Sequence, residues 1–208
     1  MGNGQLPYLI EPMRWEDVPA VMEIERDSFP LPWSSYTYRH ELTENKHSHY
    51  IVVRSRIPKA DRRVWWRRLL RVGSMPIVGY GGFWLITDEA HISTIAVAKQ
   101  QRGRGWGELL LVSMIEHAIS MNATMVTLEV RVSNQVAQTL YDKYSFVVTG
   151  KRLRYYRDNE EDALIMTVEG IATPTYRDKF ADLQAALLTR LRAEANHTAA
   201  GQKAMARL

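Results

Sequence analysis

A β-branched apolar run, Ile95-Ala96-Val97, leads through Arg102-Gly103-Arg104-Gly105-Trp106-Gly107 straight into Glu108-Leu109-Leu110-Leu111-Val112, the start of an amphipathic helix. That order of strand, glycine-rich turn and helix leaves several backbone N–H groups unpaired at a helix N-terminus, where the dipole also favours negative charge. Such a turn can hold a diphosphate, and its glycines remove side chains that would keep phosphate oxygens from the backbone. The spacing Arg102-x-x-Gly105-x-Gly107 is not the three-glycine pattern of dinucleotide folds, and no Gly-Lys-Ser/Thr ending marks a nucleoside-triphosphate loop. On its own the segment reads equally as a tight turn with exposed arginines.

The flanking pattern predicts a mixed α/β sheet. Tyr8 to Ile10 reads as a strand, Met13 to Arg26 as a helix with Val18, Val21, Met22 and Ile24 on one face, and Phe29-Pro30-Leu31-Pro32-Trp33 as its end. Ser34 or Ser35 caps a second helix that ends near Asn45. Tyr50 to Val53, Ile77 to Ile86, Glu89 to Val97, Met125 to Val130, Phe146 to Val148 and Ala163 to Val168 read as strands. Helices are expected up to Met121 and from Asn134 to Tyr144. One crossover is evident, from Val97 through the long helix to Val126. Beyond Gly170 a separate helix is expected to open at Thr173-Pro174, with Phe180, Leu183, Leu187 and Leu191 on one face and a frayed end from Ala193 to Leu208. The expected division is therefore a domain over 8–169 and a helical extension over 170–208.

The chain contains no cysteine, which excludes disulfides, thiolate metal sites and a cysteine nucleophile; no metal is expected. No apolar run is long enough to span a membrane and the N-terminus lacks a signal pattern, so a cytoplasmic location is expected. Much of the excess in a net charge of +4 lies between Arg54 and Arg71.

Two residues stand out chemically. Glu129 interrupts an apolar strand, so it is either paired with Arg131 at an exposed position or held in a cleft as a general base of raised pKa. Tyr141, on the helix after Asn134, is either a packed aromatic or a phenol able to protonate a leaving thiolate. Asn134 reads first as a helix cap, a role compatible with donating to a ligand.

The ordered segments His91-Ile92-Ser93-Thr94-Ile95-Ala96-Val97, Arg102 to Gly107, Leu128-Glu129-Val130-Arg131-Val132-Ser133-Asn134, Leu140-Tyr141 and Phe146 resemble the GNAT acyltransferase superfamily. Tyr155-Tyr156-Arg157, Glu161 to Met166 and Phe29-Pro30 with Trp33 are similar to its RimI group, which acetylates the N-terminal alanine of a small-subunit ribosomal protein. The resemblance implies a central, mostly antiparallel mixed sheet flanked by helices, and acetyl-CoA as co-substrate. It implies that Ile95, Ala96 and Val97 present backbone to the pantetheine arm. Arg102, Gly103, Arg104, Gly105, Trp106, Gly107 and Glu108 are expected to wrap the diphosphate, and Asn134 to contact the cofactor. Glu129 is expected to take the amine proton and Tyr141 to protonate the departing thiolate, in direct transfer within a ternary complex. Phe29, Trp33, Tyr155 and Tyr156 are expected to read a peptide, helped by the acidic cluster Asp158 to Asp162. An N-terminal amine has a pKa near ~8 against ~10.4 for lysine, so deprotonating it costs about 3 kcal/mol less, which favours N-terminal substrates. Lysine side chains, small amines and a non-catalytic acetyl-CoA-binding adaptor are the alternatives.

Two features depart from the resemblance. The stretch Arg54 to Arg71, centred on Arg62-Arg63-Val64-Trp65-Trp66-Arg67-Arg68, is either a solvated insert or a contact to a ribosome or an anionic membrane. Ser145, in Tyr144-Ser145-Phe146, stands where the family has glycine and is expected to strain the turn.

Overall fold

Neighbouring strands in the first half of the chain pair antiparallel, and a single parallel pair joins that half to the second. The computed structural model describes residues 8–55 and 75–205, with only the helical backbone over 197–205. Seven strands form one sheet in the order β1-β2-β3-β4-β5-β7-β6. They are β1 (Tyr8–Pro12), β2 (Ser48–Ser55), β3 (Ile77–Ile86), β4 (Glu89–Val97), β5 (Met125–Arg131), β6 (Val147–Tyr156) and β7 (Glu161–Glu169). The helices are α1 (Val18–Ser28), α2 (Ser35–Thr43), α3 (Trp106–Ser120), α4 (Gln135–Lys143) and α5 (Pro174–Met205). Mixed topology and flanking helices match the expected fold class.

Parallel strands need a crossover, and α3 supplies it between β4 and β5. The pairing of β4 with β5 runs only from Glu89↔Met125 to Ile92↔Leu128, although both strands continue. On its other edge β4 carries a bulge: Phe83 faces Ile92 while Gly82 faces Thr94, leaving Ser93 as the extra residue. A bulge bends its strand, so β4 turns away from β5 at this point and a cleft opens between them.

Side chains alternate across the sheet and supply two cores. Tyr50, Val52, Tyr80 and Ala96 pack with Met13, Val18, Val21, Ile24 and Tyr38 under α1 and α2. Val53, Val78, Phe83, Ile92, Val126 and Leu128 pack under α3, whose Leu109 to Val112, Met114 and Ile115 are buried. The outer side of α3 is covered by α5 through Phe180, Leu187 and Leu191, which explains why α3 is apolar nearly all round. Among the described residues no helix is long and apolar enough to cross a membrane.

Several boundaries differ from the sequence reading. A short 3-10 turn, Trp15–Asp17, precedes α1, which starts only at Val18 with Pro19 in its first turn. The loop expected after Val148 is largely strand, since β6 continues to Tyr156 through irregular pairing between Val148 and Gly150 and between Arg152 and Tyr156. The helix expected to fray from Ala193 continues to Met205. Arg54 is a β2 residue, and its guanidinium binds Glu11 at 2.7 Å and Asp17 at 2.5 Å. The Arg/Trp centre of the insert lies outside the described residues, as does the fate of 206–208. Ser55 N–H bonds Pro76 O at 3.1 Å across the base of the insert.

Gly82 makes room for the ring of Tyr50: a Cβ there would lie 2.2 Å from Tyr50 Cδ1. Gly82→Ala is expected to force that buried ring aside and cost about 1–3 kcal/mol, read as a lower urea midpoint at unchanged slope.

Candidate active site

The turn after β4 begins where Ala98 N–H bonds Val78 O at 2.9 Å, and continues as a 3-10 turn over Lys99–Gln101. Gly103 (φ +74) and Gly105 (φ +80) then take the left-handed conformation that side chains resist. Gly105 is the N-cap of α3, and its carbonyl accepts the first helical bond from Leu109 at 2.9 Å. The N–H groups of Trp106, Gly107 and Glu108 therefore have no partner within the helix. A Cβ at Gly103 would meet nothing within 4 Å, so the loop is open on that side. These features fit a diphosphate.

The side chains of this loop have partners of their own within the protein. Trp106 is buried against Tyr8, ring centroids 6.0 Å apart, and contributes only backbone to the loop's mouth. Arg102 folds back, donating to Val97 O at 3.1 Å and Ser28 Oγ at 3.0 Å. The buried carboxylate of Glu108 accepts from Lys143 at 2.5 Å, the Tyr144 hydroxyl at 2.8 Å and Arg190 at 2.5 Å. Burial would raise its pKa, but these donors outweigh it and hold the carboxyl below its ordinary value. Arg104 is exposed.

From this cradle the cleft runs back between the parting strands. Ile95, Ala96 and Val97 pair with Gly81, Tyr80 and Gly79 on one edge, while the edge towards β5 is unpaired beyond Ile92. An extended ligand arm can therefore add to β4 as a strand would. Glu129 lies on β5 and Tyr141 on α4. Tyr141 packs on Phe146 at 5.7 Å, and burial, with Tyr156 nearby, pushes its phenol well above the usual tyrosine value. That keeps the phenol protonated. Asn134 caps α4, its Oδ1 accepting from Ala137 N–H at 3.2 Å.

Glu129 sits just past the last parallel rung. Its side chain is 8% exposed and meets His91 Nε2 at 2.7 Å and the Arg152 guanidinium at 3.0 Å. Burial would raise its pKa, but the hydrogen bond and charge of His91, joined by Arg152, hold it below the ordinary carboxylate value. The expected raised pKa is thus corrected, and so is the pairing with Arg131. Arg131 instead binds Asp158 at 2.7 Å and Glu161 at 3.0 Å and lies 3.8 Å over the ring of Tyr156. His91 and Arg152 are the residues that sequence reasoning missed. The signal for His91 was there: it faces Thr127 across the parallel pair, and Glu129, two residues on, shares that face. Arg152 gave no such signal, because it arrives from an edge strand through β7.

The mouth is aromatic. Trp33 stacks on Trp84 at 6.4 Å and 10°, and Trp84 lies 5.7 Å from His91. Glu25 fixes the Trp33 backbone at 2.8 Å and the Tyr38 hydroxyl at 3.0 Å. Phe29 and Trp33 are both partly buried against the α1–α2 core. Tyr155 and Tyr156 meet edge to face at 5.2 Å, with Arg152 5.5 Å over Tyr155. The acidic cluster expected to draw a basic peptide is largely neutralised, with Asp158 and Glu161 on Arg131 and Asp162 on Lys151 at 2.6 Å. Ser145 adopts the left-handed φ of +68° anticipated for it, its hydroxyl accepting from Lys179 at 2.7 Å.

Residues 18–146 match the family model described as Acetyltransferase (GNAT) family. A Bacillus subtilis protein described as a ribosomal protein bS18-alanine N-acetyltransferase is 40% identical over 156 residues, 75% of this chain and 91% of that protein. The N-alpha-acetyltransferase RimI of Mycobacterium tuberculosis is 32% identical over 162 residues, 77% of this chain and 91% of its own. The crystal structure of the ribosomal-protein-S18-alanine N-acetyltransferase from Escherichia coli superposes with a TM-score of 0.63 at 25% identity, covering 78% of this chain and 94% of that one.

Removing Arg152 leaves Glu129 with one cation fewer. In Arg152→Ala the Glu129 carboxyl is expected to titrate at higher pH than in the unaltered protein, measured by carbon-13 NMR; an unmoved midpoint would show that Arg152 is screened by solvent.

Proposed function

Since this chain belongs to the acetyltransferase (GNAT) family, we propose that its cleft moves an acetyl group from acetyl-CoA to the N-terminal α-amine of a protein. The names of its relatives support the N-terminal alanine of a bS18-type ribosomal protein as that substrate. The observation that carries the reading is the position of Glu129. It lies where β4 and β5 part, hydrogen-bonded to His91, between a diphosphate-type cradle and an aromatic mouth.

Acetyl-CoA supplies the activated acetyl thioester. The N–H groups of 106–108 and the open turn at Gly103 hold its diphosphate, and the free edge of Ile95 to Val97 holds the pantetheine arm. The α-ammonium must lose a proton before its nitrogen can attack. A carboxylate held below its ordinary pKa is a weak base on its own, but Glu129 is coupled to an imidazole at 2.7 Å. In the form of the site in which His91 is uncharged, the proton passes to its imidazole, and the Glu129 carboxylate at 2.7 Å stabilises the imidazolium that results. As the C–S bond breaks, Tyr141 gives its phenolic proton to the sulfur. Trp33, Trp84, Tyr155 and Tyr156 wall the approach for the first residues of the peptide.

Incubation with labelled acetyl-CoA and a peptide beginning Ala, beside one whose N-terminus is blocked and which contains Lys, tests the substrate class. Label is expected on the α-amine; label on lysine alone would transfer the reading to side-chain amines. Glu129→Gln is expected to lower kcat by about 10²–10⁴-fold while leaving the calorimetric Kd for CoA within twofold. Full turnover in Glu129→Gln would remove the carboxylate from the mechanism.

A further inference from the structure

Helix α5 lies beyond the residues that the family model matches, yet it reaches the coenzyme cradle. Leu187 and Leu191 are buried on the outer side of α3. A Cβ at Gly105 would lie 3.1 Å from Leu191 Cδ2 and 3.4 Å from Arg190 Nη2, so α5 packs directly on the N-cap of α3. The same arginine holds Glu108 Oε2 at 2.5 Å, while Lys143 and Tyr144 hold Oε1.

Glu108 occupies the third position of α3, where a glutamate ordinarily turns back to cap its own helix. In that position a free carboxylate would occupy the positive end of the helix and repel a diphosphate. Here the carboxylate is buried and held by two cations from two other helices. Tyr144, at the C-cap of α4, links the same carboxylate to the helix that carries Tyr141.

We propose that Arg190 is a positioning residue of the coenzyme site: acting through Glu108, it keeps the N-terminus of α3 electrically open to the diphosphate of CoA. The proposal rests on the cradle reading given above. It makes α5 part of the coenzyme site although no α5 residue touches the reacting atoms. Reciprocity follows, so bound coenzyme strengthens the docking of α5.

The test uses Arg190→Met, which keeps an apolar stem of similar length, and Arg190→Lys, which keeps the charge. Calorimetry with CoA is expected to show Arg190→Met binding roughly five- to tenfold more weakly, a difference that shrinks in high salt, with Arg190→Lys within about twofold of the unaltered protein. The KM for an S-acetyl-pantetheine donor, which lacks the diphosphate, is expected to stay unchanged in Arg190→Met. Removing the carboxylate as well, in Glu108→Gln/Arg190→Met, is expected to restore CoA binding. An unchanged Kd in Arg190→Met, an equal loss with the pantetheine donor, or no recovery in the double variant overturns the proposal and leaves the cradle reading standing. Absence of any CoA binding by the unaltered protein overturns both.

Discussion

β4 and β5 stay bonded only as far as Ile92 and Leu128, because Ser93 is one residue too many on β4 and bends it away. The cradle and the cleft both depend on this pair. Two parallel strands must be joined by a crossover, so α3 has to begin just past the C-terminal end of β4. Its unpaired N–H groups therefore stand at one end of the gap that the bulge opens. The unpaired edge of Ile95 to Val97 leads from those amides towards Glu129, which is the first β5 residue beyond the last rung. The unpaired amides, the free strand edge and Glu129 fall in line because one ladder stops early.

Two nearly buried carboxylates border this line, and the protein neutralises both with cations from distant segments. Glu129 is met by His91 from β4 and Arg152 from β6, and Glu108 by Lys143 and Arg190 from α4 and α5. An uncompensated carboxylate at either position would be unfavourable to bury. The compensation differs in what it leaves available. Around Glu129 one partner is an imidazole and the other, Arg152, is half exposed. Around Glu108 a lysine, an arginine and a phenol of strongly raised pKa hold both carboxylate oxygens, which fixes the direction of the group.

Local sequence made most of the fold legible. The β-branched runs, the capping Ser34 and Asn134, and the Gly103–Gly105 turn each act within a few residues, and each lies where expected. The errors were of one kind. β6 was read as ending at Val148 because Lys151 to Tyr156 shows no alternating pattern, and as an exposed edge strand it has no buried face to impose one. Glu129 was assigned a raised pKa because its own strand is apolar, and the groups that lower it are 38 and 23 residues away in the chain. Nothing in the local sequence told where the Glu108 side chain goes, because its partners Lys143, Tyr144 and Arg190 belong to later helices.

By itself, then, the order of residues determined the sheet, its crossover helix and the glycine turn between them, since these follow from periodicity, glycine conformation and the unpaired ends of a helix. Only the tertiary structure decided which way Glu108 and Glu129 point and what charge surrounds them. Electrostatic neighbours are set by distance in space, and β6 and α5 come within reach of the cleft and the cradle only once the chain has folded back on itself.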